Sequence, residues 1–258
     1  LRFRGWGRWL LRSELRRLAS LPPEESRQRV ALAQRQAADR VLRHLRVRLE
    51  VTGEQHLPTA PGLVVALHEG LADALCLAAL PIPLRFVARR EVFEWAGIGA
   101  ALSGCQHIAI EPESTGAAYR QLRRDARAAL AAGDHVVVFP QGCLLGIQTA
   151  FLPGAFHLAR AFAVPILPVV VTGTHRIWEH PFSTRLRYGQ SVTVQILPPV
   201  SAEETRHCDP DQLRLRLQQR MKRAALSPGC PAPRHYVPER DGDWPGFRFE
   251  IDADWRQT

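Results

Sequence analysis

An α/β fold, a mostly parallel central sheet flanked by helices, is predicted for this 258-residue chain. Three observations predict it. Short, near-continuous apolar runs at Leu63–Leu67, Val136–Phe139 and Ile166–Thr172 read as strands buried on both faces. These runs alternate with stretches of helical periodicity, as strand–helix–strand units require. Proline and glycine punctuate the boundaries between the two kinds of segment. An apolar content of 46% supports a sizeable core, and 23% charged residues is ordinary for a globular chain.

The elements follow in order. Apolar periodicity and a break at Leu21-Pro22-Pro23-Glu24-Glu25 predict two helices before residue 46, the second carried by Val30, Ala33, Ala37, Val41 and Leu45. Residues 47–53 alternate like a strand with one exposed face. The buried strand Leu63–Leu67 precedes a helix over Ala72–Leu80, closed by Pro81 and Pro83. A short strand over Arg85–Ala88 leads to one helix running to about Leu102, and then to a strand over His107–Ile110. A helix over Tyr119–Ala132 ends at Gly133. The strand Val136–Phe139 stops at Pro140. Pro153–Phe162 reads as a helix, Ile166–Thr172 as a strand, and Ser191–Leu197 as a last alternating strand. One long helix is expected over Glu203–Leu226. Residues 227–258, rich in proline, glycine and aromatics, read as a tail packed on the domain around a short strand, Gly246–Ile251. The predicted division is therefore a two-helix segment over 1–46, an α/β domain over 47–226 and a tail over 227–258.

The net charge of +9 is regional. Residues 1–48 hold thirteen arginines against four acids, and the remainder carries 21 charges of each sign. On a helical wheel Arg8, Arg12 and Arg16 group opposite Phe3, Trp6 and Leu10. Arginine on one face and aromatic and aliphatic residues on the other suit a membrane interface. Docking on its own domain and a nucleic-acid arm are the alternatives for this helix, but no nucleic-acid module follows it. No run reaches the roughly 18 apolar residues that a spanning helix needs, and no signal-peptide pattern is present. The five cysteines form no C-x-x-C pair, which argues against a disulfide framework or zinc site and suggests a reducing compartment.

The most informative residues are His68 and Asp73, in Leu67-His68-Glu69-Gly70-Leu71-Ala72-Asp73 directly after a buried strand. A histidine at a strand end, with a carboxylate about one helical turn later, suits a general base oriented by an acid. Phe139-Pro140-Gln141-Gly142 follows a second buried strand and places a polar side chain beside a glycine turn. Val164-Pro165-Ile166-Leu167-Pro168-Val169 brackets a third. No Gly-x-Ser-x-Gly elbow occurs, so an acyl-enzyme is not required. His157, His175 and His180 show no metal-ligand pattern and read as ordinary surface or core histidines.

His-x-x-x-x-Asp, Phe-Pro-Gln-Gly and Val-Pro-Ile-x-Pro-Val, in this order and spacing, resemble the glycerolipid acyltransferase family, whose best-known members are the 1-acylglycerol-3-phosphate acyltransferases. Phe86-Val87-Ala88-Arg89-Arg90-Glu91 and Phe151-Leu152-Pro153-Gly154 resemble two further blocks, and the N-terminal helices resemble the membrane-docking helices of bacterial members. The resemblance implies transfer of an acyl chain from acyl-coenzyme A or acyl carrier protein to a lipid acceptor. His68 and Asp73 are then catalytic, and Arg89, Phe139, Pro140, Gln141 and Gly142 bind substrate. No cofactor or metal is implied. The expected partners are the thioester donor, the lipid acceptor, acyl carrier protein as a candidate, and a membrane surface met through residues 1–20, with no nucleic acid. The expected location is the cytoplasmic face of a membrane, peripheral or monotopic. Backbone amides near Gly70 or Gly142 are candidates for an oxyanion site.

Two departures stand out. Gln141 replaces the family's usual glutamate and Leu144 its arginine, and the block Gly104–Glu111 lacks a second arginine. Arginine is the natural bidentate partner of phosphate. The loss of both predicts an acceptor without a phosphomonoester; a 1-acylglycerol-3-phosphate acyltransferase is the alternative. The competing class is a non-catalytic, membrane-docked binding protein.

Overall fold

The computed structural model describes residues 6–22, 25–111, 115–178, 185–237 and 250–255. Seven strands form one sheet in the order β1 (Arg48–Thr52), β7 (Ser191–Ile196), β6 (Ile166–Thr172), β2 (Leu63–Ala66), β5 (His135–Val138), β3 (Leu84–Arg89), β4 (Ile108–Ile110). All neighbours pair parallel except β6 with β7. β7 and β1 therefore run against the other five. The mostly parallel sheet matches the sequence reading, and burial explains it. β2 and β6 are buried at every residue, whereas edge strand β1 alternates.

Alternate side chains of β2 feed two cores. Val64 and Ala66 join Ala72, Cys76 and Leu77 of α3 (Ala72–Ala78) and Val41 and Leu42 of α2 (Arg27–His44). Leu63, Val65 and Leu67 join the opposite layer. That layer is built from α6 (Thr115–Ala131), α7 (Gly154–Phe162) and α9 (Pro210–Ala225), through Ala126, Phe156, Leu213 and Leu217. Full burial of a leucine such as Leu63 or Leu77 stabilises by roughly 1.5–3 kcal/mol.

The segment before residue 46 does not stand apart from the domain. The α2 face belongs to the main core, and Leu18 of α1 (Trp6–Ala19) packs with Val30, Ala33, Ala101 and Cys105. Glu14 grips Arg40 through two hydrogen bonds of 2.5 and 2.7 Å. The later half of α1 is thus docked on its own domain, with Arg12 and Arg16 exposed. Phe3 and the side chains of Trp6 and Arg8 lie outside the described residues, so the full wheel is not drawn. Among the described residues no helix is long and apolar enough to cross a membrane.

Two expected helices are each divided. The one after β3 is split into α4 (Arg90–Phe93) and α5 (Ile98–Gly104). The long basic helix is α8 (Ala202–His207) followed by α9. Asp209 caps the Asp211 and Gln212 amides at 3.1 and 3.0 Å, and Pro210 occupies the first turn, so a new helix starts there. Most of the strand expected over Gly246–Ile251 lies outside the described residues; Ile251 itself makes one antiparallel bridge to Thr149.

Candidate active site

β2 and β5 are adjacent and parallel, with Val65 opposite Val138. The connection from β2 passes through α3 on one face of the sheet to β3, beyond β5, and that from β5 through α7 on the opposite face to β6, beyond β2. Adjacent strands whose connections leave to opposite faces open a crevice at their carboxyl ends. His68 follows β2 at that edge, and Phe139 to Gln141 follow β5. Arg89 ends β3 at the same edge, its Nε 3.0 Å from a Glu91 carboxylate oxygen.

The chain doubles back after β2 because α3 begins at Ala72. Asp73 is thereby turned toward the loop that precedes it. The Asp73 carboxylate is inaccessible and has a full set of donors. Oδ2 meets His68 Nδ1 at 2.7 Å and accepts the Glu69 and Gly70 amides at 2.8 and 3.0 Å. Oδ1 accepts the Thr174 hydroxyl. A carboxylate so used is an acceptor only, which places the imidazole proton on Nδ1 and leaves Nε2 open to accept one. The Phe139 ring stacks on the His68 ring at 3.8 Å and 16°, fixing the plane that Asp73 fixes in direction. Phe86 of β3 lies parallel behind Phe139, with centroids 6.5 Å apart. His68 is one wall of a narrow recess shared with Leu67, Glu69, Gln141, Gly146, Ile147 and Val171.

Gln141 is buried, and its amide is spent on the protein. Oε1 accepts the His68 backbone amide at 2.6 Å, while Nε2 donates to the Gly146 carbonyl and, at 2.8 Å, to the Thr149 hydroxyl. Its place is that of a brace under His68, in contrast to the substrate contact expected from sequence. Pro140 is also buried and accepts the Leu152 amide at 2.7 Å. Gly142 is exposed with φ 67°, as a tight turn demands. Of the backbone amides near the two glycines, those of Gly70 and Gly142 themselves are occupied. Gly70 N–H serves Asp73, and Gly142 N–H serves the Phe139 carbonyl at 3.2 Å. Cys143 and Leu144 are buried, so a leucine packs inward where the resembled family carries an arginine.

Glu69, Thr174 and the tail complete the site and were not singled out from sequence. Glu69 is buried beside His68, and its carboxylate accepts the Gly173 amide, the Thr174 amide at 3.1 Å and the Arg234 amide at 2.8 Å. His175 Nδ1 lies 3.1 Å from the same group. A side chain on Gly70 would collide with the His175 amide nitrogen at 2.8 Å, so the glycine permits this close approach. The one available signal was position: Thr174 follows β6, the strand on the far side of β2.

This arrangement can accept a proton at a defined nitrogen. Comparison with known proteins indicates in which setting. The Acyltransferase family model matches residues 48–172, which contain every strand from β1 to β6 and the His68–Asp73 pair. Residues 48–172 form an Acyltransferase domain. The domain is similar in sequence to 1-acyl-sn-glycerol-3-phosphate acyltransferase alpha of Mus musculus, at 35% identity over 61% of this chain and 56% of that protein. It is similar to the 1-acyl-sn-glycerol-3-phosphate acyltransferase of Pseudomonas aeruginosa, at 28% identity over 61% of each. The matched stretch thus spans little more than half of these relatives. The fold is that of the crystal structure of the 1-acyl-sn-glycerophosphate acyltransferase PlsC from Thermotoga maritima. There the TM-score is 0.64, at 20% identity, over 83% of this chain and 86% of that one.

Proposed function

We propose that this chain is a membrane-associated acyltransferase moving an acyl group from a thioester to 1-acylglycerol 3-phosphate. The observation that carries the reading is the His68–Asp73 contact of 2.7 Å at the carboxyl ends of β2 and β5, inside the Acyltransferase domain. His68 Nε2 takes the proton of the acceptor hydroxyl as its oxygen attacks the thioester carbonyl. The carbon–sulfur bond then breaks, and the thiolate leaves with the proton returned from the imidazolium. Asp73 holds the tautomer and stabilises the imidazolium as it forms. Phe139 and Gln141 hold the ring and the backbone that carries it. The donor is acyl-coenzyme A or acyl carrier protein.

The acceptor departs from the one suggested by the missing arginines. The relatives are named for a phosphorylated acceptor, and they favour the phosphomonoester. Buried Leu144 offers that phosphate no charged contact, so the contact lies elsewhere in the site. The exposed Arg12 and Arg16 support docking of α1 on an anionic membrane. An intact, fully hydrogen-bonded pair favours the enzyme over a binding protein.

The test is acyl transfer by the purified chain on vesicles carrying equal lysophosphatidate and monoacylglycerol, supplied in turn with acyl-coenzyme A and acyl carrier protein donors. Preferential acylation of lysophosphatidate is expected. Equal or preferential acylation of monoacylglycerol refutes the acceptor assignment.

A further inference from the structure

The site contains a second histidine–carboxylate pair that the proposed reaction does not use. Glu69 is the residue next to His68, so its carboxylate is fixed to the same loop. His175 Nδ1 lies 3.1 Å from Glu69 Oε1, just as His68 Nδ1 lies 2.7 Å from Asp73 Oδ2. The two pairs share one residue. Thr174 gives its hydroxyl to Asp73 and its amide to Glu69. The side chains of His68 and His175 are equally accessible, at 17% each, whereas both carboxylates are closed off. Each pair therefore presents a ring edge outward from a buried acid.

Basic residues neighbour the second pair. Residues 231–237 of the tail cross this point. The Arg234 backbone amide binds Glu69 Oε2, which places Arg234 and His235 beside the pair. Burial pushes the His235 imidazole toward its neutral form, and the charge of nearby His175 pushes it further, against the pull of Glu69. Arg176 follows His175 in sequence and reaches the Ala232 carbonyl at 3.5 Å. One carboxylate, already shared among four donors, thus meets the His175 ring, with Arg176 next in sequence held against the tail and Asp73 one residue away through Thr174. Such a cluster suits a multiply charged anion.

We propose that His175, oriented by Glu69, binds a substrate phosphate through its Nε2–H in the doubly protonated form, with Arg176 as the neighbouring cation. The inference rests on the reading of an acyltransferase with a phosphorylated acceptor, because it names the group that meets the phosphate where Leu144 has replaced an arginine. Both substrates of such a reaction bring phosphate, the acceptor and the coenzyme A or phosphopantetheine donor. The chemistry of recognition is the same for both.

Two measurements test it. The first uses the wild-type protein labelled with nitrogen-15 histidine and inorganic phosphate as the probe. The ring signals of His175, assigned by their loss in His175→Gln, are expected to shift saturably. This arm needs no acyl transfer, so it judges His175 even if the acceptor assignment fails. The second compares the kinetics of wild type and His175→Gln, whose amide can still meet Glu69 but cannot carry the charge. A KM increase of about tenfold or more is expected, with a much smaller change in kcat. A rise confined to the acceptor KM assigns the phosphate to the acceptor, and one confined to the donor KM assigns it to the donor. Unmoved His175 signals together with unchanged KM values for both substrates overturn the proposal.

Discussion

His68 is fixed at both ends of its own residue. Its backbone amide is held by Gln141, its ring edge by Asp73 and its ring face by Phe139. Removing the Thr174 hydroxyl in Thr174→Val leaves Asp73 Oδ1 without its donor at constant side-chain shape. Stability is expected to fall by about 1–3 kcal/mol in urea unfolding, with a parallel loss in kcat. Gln141→Glu is the informative exchange at position 141. A carboxylate can accept from His68 but turns an oxygen toward the Gly146 carbonyl, so a loss of about 1–3 kcal/mol is expected by the same measurement, despite a glutamate being usual in the resembled family. Unaltered stability in Gln141→Glu would contradict the bracing role. At this scale His68 and Asp73 were legible because five residues separate them and the strand end is visible. Glu69 and Thr174 were not, because their partners lie 101 to 165 residues away and only the fold brings them together. Leu144 and Gln141 were visible as departures, but not that both side chains are buried and that the Gln141 amide is spent on His68, Gly146 and Thr149.

The C-terminal tail acts as a strap across the loop after β5. Tyr236 N–H binds the Gln148 side chain at 2.9 Å, Asp252 N–H binds the Gln148 carbonyl at 2.7 Å, and Ala150 N–H binds the Glu250 carbonyl at 2.8 Å. The strap is pinned to α9 by Asp252, which accepts from Lys222 Nζ at 2.6 Å and from Gln218 at 2.7 Å. Lys222 is fully buried, and burial lowers its pKa against the opposing pull of Asp252. Asp252→Ala strands that ammonium. A loss of about 3–5 kcal/mol is expected, with faster proteolytic cleavage near residue 250; wild-type cleavage kinetics would show that the pin is dispensable. The other end of the molecule carries a separate expectation. Arg12→Glu with Arg16→Glu should weaken sedimentation with anionic vesicles by about 1 kcal/mol or more per position, and the wild-type binding should decline with salt. Element boundaries were legible where proline or glycine marked them. The division at Asp209-Pro210 was misread because the apolar period continues across it, while the cap and the proline restart the helix.

The whole molecule is a sheet with two apolar cores, and two neutral histidines, half-buried His107 and buried His135, tie its strands to neighbouring backbone. His107 Nδ1 accepts the Phe86 amide and His135 Nδ1 the Gly62 amide, both at 3.2 Å. Burial, followed by Arg27 and Arg85, pushes His107 down to about 3, and burial lowers His135 against Asp134. The unfolded chain takes up these protons near the ordinary histidine value of about 6.5. Stability is therefore complete above about pH 6.5 and falls as pH drops from there toward 3. Urea midpoints at pH 7.5 and pH 5 check this, with a lower midpoint expected at pH 5. The α/β architecture was legible from its buried strands alone, since continuous apolar runs between helices admit few other packings. The position of the tail and its grip on Glu69 were not, because extended segments carry no period. The role of His68 as the base for acyl transfer is tested most directly by His68→Ala on lysophosphatidate vesicles. A fall in kcat of about 100-fold or more is expected, with vesicle binding and unfolding midpoint retained. Wild-type turnover by that variant would contradict it.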